Sequence, residues 1–189
     1  INFQYKHHAG QETRIDPSVS NIVDVYLLER TYDNLFRIWL QDGGTKPTVS
    51  TADQLRINYA GTLNQLKSLS DQIIYHPVKY KILFGSNAEE QLQATFKVVK
   101  NPKTNVSDAV IKTRVIAAIN EFFALDNWDF GDSFYFTELA AYIHNELAPD
   151  LLTAVIVPNQ SGQGFGSLFQ INSAADEIFI SGATVDDVS

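Results

Sequence analysis

Apolar positions along the chain change period several times, and each change marks an element. Asn21–Leu28 reads NIVDVYLL, a run of β-branched and aromatic residues that predicts a buried strand. From Thr31 to Gln41 the spacing becomes helical, with Tyr32, Leu35, Phe36, Trp39 and Leu40 on one face. Asp42-Gly43-Gly44 stops that helix. A longer helix is predicted over 51–70, with Ala52, Leu55, Tyr59, Leu63, Leu66 and Leu69 on one stripe. Ser50 is placed to accept from its free N–H groups, and Asp53 suits the positive end of its dipole. Pro77 begins the next element. In Val78–Phe84, Val78, Tyr80, Ile82 and Phe84 share one face while Lys79 and Lys81 take the other, the alternation of a strand with one wet side. Gln91–Val99 repeats the pattern with Leu92, Ala94, Phe96 and Val98. Gly85-Ser86-Asn87-Ala88 between them predicts a hairpin.

The densest patterning lies in Ser107–Pro158. Ile111, Val115, Ala118, Ile119 and Phe122 recur at helical spacing behind the expected N-cap Ser107. Phe136, Leu139, Ala140, Ile143 and Leu147 form a second helical stripe, ending at Ala148-Pro149. Between them sits the corner Asn127-Trp128-Asp129-Phe130-Gly131-Asp132. Gly131 can take a positive φ there, and Trp128 and Phe130 are large enough to anchor the turn. Leu151–Val157 is a strand-like apolar run. Short strands near 167–171 and 177–181 follow a flexible glycine-rich stretch. The expected fold is α+β: a two-layer sandwich with helices on one face of a mainly antiparallel sheet, a split βαβ-like core, an open lysine-bearing face and an appended C-terminal hairpin. The expected divisions are an N-terminal arm over 1–19, one α+β domain over 20–158, and a loop-and-hairpin appendage over 159–189.

Composition narrows the function classes. With 14 Lys+Arg against 22 Asp+Glu the net charge is -8, which argues against wrapping nucleic acid. Lys97, Lys100 and Lys103 read as lysines beside a sheet edge. The chain has no cysteine, so disulfides, thiolate metal sites and cysteine nucleophiles are excluded. That suits a reducing cytoplasm. The opening INFQYKHH is polar and charged, unlike a secretory signal, and Leu151–Val157 is far too short for a bilayer. Ile1 at the start and the lack of any Met fit an excised piece of a longer protein, or modified methionines left unwritten.

Candidate chemistry is thin. Gly162-x-Gly164-x-Gly166 has a different glycine spacing from a phosphate-cradling loop and is followed by the β-like run Ser167–Ile171 where such a loop opens a helix, so it reads as a hairpin connection. His7, His8, His76 and His144 show no metal-binding spacing and are assigned surface or packing roles. Asp126, Asp129, Asp132 and Glu138 gather at the corner. Paired acids can hydrolyse glycosides, but Asp129 and Asp132 flank a turn where short acidic side chains cap backbone N–H groups. No G-x-S-x-G elbow occurs. What the chain does hold is 12 Phe, 8 Tyr and 2 Trp, more than packing alone requires. Tyr135 and Phe165 are aromatics suited to protein contacts.

The succession of a helix, a W-x-F-G-x corner, a second helix and the strand AVIVP resembles the baseplate J-like family of contractile phage tails. It is nearest the C-terminal part of the large baseplate wedge subunit of the T-even type. The likeness runs from about Ser20 onward and rests on order and spacing together. It implies a structural, non-enzymatic virion protein of the tail baseplate, assembled in the host cytoplasm. Such a protein self-associates and joins neighbouring wedges into a ring that rearranges on sheath contraction. The implied partners are a second copy, as an isologous homodimer, and other wedge proteins, with no nucleic acid, membrane, metal or cofactor. The expected contact segment runs from the aromatic corner through Ser161–Gly166, with Trp128, Phe130, Tyr135 and Phe165 as interface residues. The chain departs from the family in its glycine-rich loop over 159–166 and in the arm before Ser20. Two rival readings are a tail-associated cell-wall hydrolase and a host-surface carbohydrate-binding module.

Overall fold

The computed structural model describes residues 22–63, 72–159 and 170–189. Its fold is α+β, and the described chain divides into two compact units. The first comprises residues up to Leu27 together with Ser50–His76, and the second Leu28–Val49 with Pro77–Ser189. The expected arm over 1–19, the end of the 51–70 helix and the loop over 160–169 lie outside the described residues.

In the first unit, strand β1 (Ile22–Leu27) pairs with β2 (Gln72–Pro77), and helix α2 (Ala52–Leu63) supplies Leu55 and Leu63 to a small core. Val25 and Tyr75 complete that core, with Tyr59 and Ile73 packed against it. Thr51 closes the helix start where Ser50 was expected to: its hydroxyl accepts from the Gln54 N–H at 3.3 Å, and Gln54 Oε1 accepts from the Thr51 N–H at 2.8 Å. Strand β2 was not anticipated. Its Ile73 and Tyr75 do alternate with polar residues, but only over a few positions.

In the second unit, α1 (Arg30–Asp42) ends where expected. Gly43, at φ 76°, donates its N–H to the Trp39 carbonyl. Tyr32 and Phe36 are buried against Tyr80 of β3 (Lys79–Leu83), with ring centroids 5.9 and 4.9 Å away. The Tyr80 hydroxyl donates to Asp33, whose carboxylate also accepts from Arg37 Nε at 2.6 Å. Burial, then the bond to Asp33, push the Tyr80 phenol well above its usual range.

Five further strands and two helices complete this unit: β4 (Ala94–Lys100), α3 (Asp108–Phe122), β5 (Ser133–Tyr135), α4 (Phe136–Leu147), β6 (Leu151–Pro158), β7 (Gln170–Asn172) and β8 (Glu177–Ser181). Ser107 caps α3, as the sequence predicts, accepting from the Val110 N–H at 3.4 Å. The stripes also hold: Ile111, Val115, Ala118 and Ile119 of α3, and Phe136, Leu139, Ile143 and Leu147 of α4, are buried.

The pairings differ from expectation. Among the described residues there are four two-stranded sheets rather than one continuous sheet. The predicted β3–β4 hairpin does not form: β3 pairs in parallel with β8, and β4 pairs antiparallel with β6. The cause is local. Phe84 at φ 64° and Gly85 at φ 69° are two successive left-handed residues. They turn the chain out of the β3 ladder and send the Phe84 ring into the core. A Cβ on Gly85 would stand 1.9 Å from the Gly182 carbonyl oxygen, so the approach of the β3 and β8 ends requires glycine.

Nor is there a C-terminal hairpin: β7 pairs with β5 and β8 with β3, so 170–189 is woven into the second unit rather than appended. The split βαβ arrangement is likewise replaced. Two helices and the short β5 separate β4 from β6, which pairs antiparallel with β4. On the lysine-bearing side of β3, Lys79 lies 3.7 Å from Asp176 and Lys81 lies 3.6 Å from Glu177, so those charges are answered within the unit.

Candidate interaction surface

The aromatic corner is the joint of the core. Phe134 is fully buried. Around it stand Phe84, Phe122, Phe123, Trp128, Phe136 and Phe179, with ring centroids between 5.0 and 6.2 Å away. The Trp128 indole N–H donates to the Phe122 carbonyl at 2.7 Å, and the ring stacks on Phe123. Gly131, at φ 77°, donates to the Glu177 carbonyl and so ties the corner to β8. Ser173 donates to the Asp132 carbonyl from both its N–H and its hydroxyl. The Asp132 carboxylate accepts from the Asp129 N–H at 2.7 Å, the turn-capping role expected for this acid. Asp126 and Glu138 are exposed.

Of the four expected interface residues, Trp128 faces inward and Phe130 is half-buried, while Tyr135 is 39% exposed. Phe165 lies outside the described residues, as do His7, His8 and the Gly162–Gly166 loop. His144 is exposed in the last turn of α4. His76 is in the first unit: its Nε2 is 2.9 Å from Asp24 Oδ1, and its ring stacks on Tyr26.

A different surface carries exposed apolar groups. In the β4–β6 ribbon, Phe96 faces Ile156 and Val98 faces Ala154 on the core side; on the outer side Thr95 faces Val157, Lys97 faces Val155 and Val99 faces Thr153. A register shift follows at Val99/Lys100, where Lys100 meets Leu151 and Leu152 is left over as a bulge. Val99, Leu152 and Val155 are 50%, 52% and 50% exposed.

Backbone direction is also settled. Asn159 donates its N–H to the Gln93 carbonyl. Hydrogen-bonded pairs alternate along an antiparallel ladder, so Thr95–Val157, Lys97–Val155 and Val99–Thr153 are the bonded pairs. The far edge of β4 binds the chain end: Val98 donates to the Ser189 carbonyl and Ser189 to the Phe96 carbonyl. The N–H and C=O groups of Ala154 and Ile156 therefore point away from β4, and no strand among the described residues pairs with that edge. Accordingly Ala154 and Ile156 are only half-buried, while Phe96 beside them is fully buried.

The base of the ribbon is rigidly held. Asp150 accepts from the Thr104 hydroxyl at 2.5 Å and from Arg114 Nη1 at 2.6 Å. Thr104, then Arg114, hold this carboxyl below the usual range. Asn101 donates from its side chain to the Pro149 carbonyl and from its backbone to that of Asp150.

A second apolar area flanks α1. Leu35, Ile38, Trp39, Lys46 and Pro47 line a shallow depression of about 460 Å3, and Lys46 Nζ stands 5.4 Å from the Trp39 ring centroid.

The exposure of β6 is not legible in its residues, because Leu151–Val157 reads equally well as a strand buried on both faces. The available signal was its lack of charge. No protein-family model and no curated protein sequence matches the chain.

Proposed function

We propose that this chain works by contact rather than catalysis, as a self-associating structural component of a contractile phage tail baseplate wedge. In that role it joins neighbouring wedges into a ring that rearranges when the sheath contracts. The family part of the reading rests on the order of α3, aromatic corner, α4 and β6. The contact part rests on one observation, the β4–β6 ribbon with Val99, Leu152 and Val155 half-exposed beside a strand edge that no described strand pairs with. Contiguous apolar surface of this kind marks interaction sites. The corner acids support it indirectly, since Asp132 is engaged in capping the Asp129 N–H.

Sedimentation equilibrium of the full chain from about 1 to 100 µM tests the reading across the range where weak dimers titrate. A rise in mass toward a dimer or beyond is expected. A monomer at every concentration would refute it. So would clearing of peptidoglycan that Asp129→Asn or Glu138→Gln abolishes.

A further inference from the structure

We propose that the exposed edge of β6 receives the same edge of a second copy, antiparallel about a two-fold axis at Val155, giving one continuous four-stranded sheet β4-β6-β6-β4. This rests on the self-association proposed above and specifies the surface that makes it.

Three features point to that edge. Among the described residues nothing meets the backbone N–H and C=O of Ala154 and Ile156, a pattern that an extended strand satisfies. It also lacks the usual defences of an edge strand: from Leu151 to Val157 there is no charge, and the sole proline, Pro158, closes the strand. Finally, the core-side groups Ala154 and Ile156 stay half-buried because the ribbon stops at β6.

Charge and shape select a second copy as the occupant. The chain carries a net charge of -8, so two copies repel overall. An uncharged edge is where they approach at least cost. The nearest acid, Asp150, is already paired with Arg114. A two-fold axis at Val155 sets Ala154 against the partner's Ile156, small against large, on the core side. On the outer side it sets Val155 against the partner's Val155 and Thr153 against the partner's Val157. Ala154 and Ile156 then form four backbone hydrogen bonds across the junction, clear of the bulge at Leu152. A single strand pair covers less than the roughly 800 Å2 per partner of a standard stable interface. The isolated dimer is therefore weak, with a Kd on the order of 1–100 µM, and neighbours held in a ring strengthen it through effective concentration.

The cysteine-free sequence makes the test clean. In full-length chain, Val155→Cys places two thiols at a non-hydrogen-bonded pair, where Cβ atoms stand about 4.5–5.5 Å apart and a disulfide can close. Lys97→Cys lies one strand further in on each copy and serves as the control. Mild oxidation is expected to crosslink the first and not the second. Ala154→Pro removes only the outward N–H, which an edge strand tolerates, and is expected to weaken association roughly tenfold or more with far-UV dichroism unchanged. If Ala154→Pro does not fold, the two cysteine variants decide. Persistent dimers without a Val155→Cys crosslink overturn the strand pairing and leave self-association standing. A thiol at 155 that is inaccessible to reagent in the monomer means the edge is covered within the chain, and overturns it too. A monomer at every concentration overturns both proposals.

Discussion

Replacing Phe134 by alanine removes the side chain on which the second unit converges. Its ring is fully buried and meets six other aromatic rings, drawn from the turn after β3, from β8, from α3 and its C-terminal end, from α4 and from the corner. A buried Phe→Ala change costs about 3–5 kcal/mol, part from lost transfer energy and part from the cavity left behind. Edge-to-face ring pairs add about 0.5–1.5 kcal/mol each in isolation, but rings sharing one cluster are not additive. A loss near the top of the range, about 4–5 kcal/mol, is therefore expected. For a chain of this length that lowers Tm by about 10–15 °C. Urea unfolding followed by tryptophan fluorescence suits the measurement, because Trp39 and Trp128 both lie in this unit. The neighbouring Tyr135 points the other way from the same strand and is 39% exposed. Tyr135→Ala should cost about 0.5 kcal/mol. If Phe134→Ala loses less than about 1.5 kcal/mol at unchanged m-value, or if the two substitutions cost the same, the corner is not the joint described above.

Two more substitutions test the turns and the ribbon base. Gly43 and Gly85 have similar positive φ, 76° and 69°, but a Cβ meets nothing within 4 Å at Gly43 and the Gly182 carbonyl oxygen at 1.9 Å at Gly85. Gly43→Ala should cost about 1–3 kcal/mol of backbone strain, since φ 76° with ψ -158° is open essentially to glycine alone, and Gly85→Ala clearly more by thermal melt because the clash adds to the strain; equal losses would refute the steric argument. Asp150→Asn should reveal a pH-dependent contribution. The folded-state carboxyl is depressed by Thr104 and Arg114, so its stabilisation is present above the unfolded value of about 3.9 and is lost as pH falls through the folded one. The gap in urea midpoint between wild type and Asp150→Asn should be full at about pH 6 and narrow below about pH 4; a gap constant into acid refutes the assignment.

Local patterning was enough to place most elements. The stripes of α3 and α4, the Ser107 cap, the stop at Gly43 and the left-handed Gly131 all follow from interactions within a turn or two of chain. The α1 stripe holds only in part: Tyr32 and Phe36 are buried, while Leu35 is 51% exposed. Strands β2 and β5 escaped notice because six and three residues hold too few alternations to stand out. The corner was legible as a tight aromatic turn, but not as the place where six rings close on Phe134.

Strand partnership was decided by the tertiary structure. A strand's alternation says which face it buries and nothing about which strand lies beside it, because ladder hydrogen bonds are made by backbone groups common to every residue. The sequence places β3 and β4 next to each other with turn residues between, which favours a hairpin. Phe84 in a left-handed conformation, paired with Gly85 against Gly182, instead delivers β3 to β8 and β4 to β6. The same choice leaves β6 at an edge. An apolar run that the sequence marks only as strand becomes, with no described strand on one side of it, the surface on which the proposed function turns.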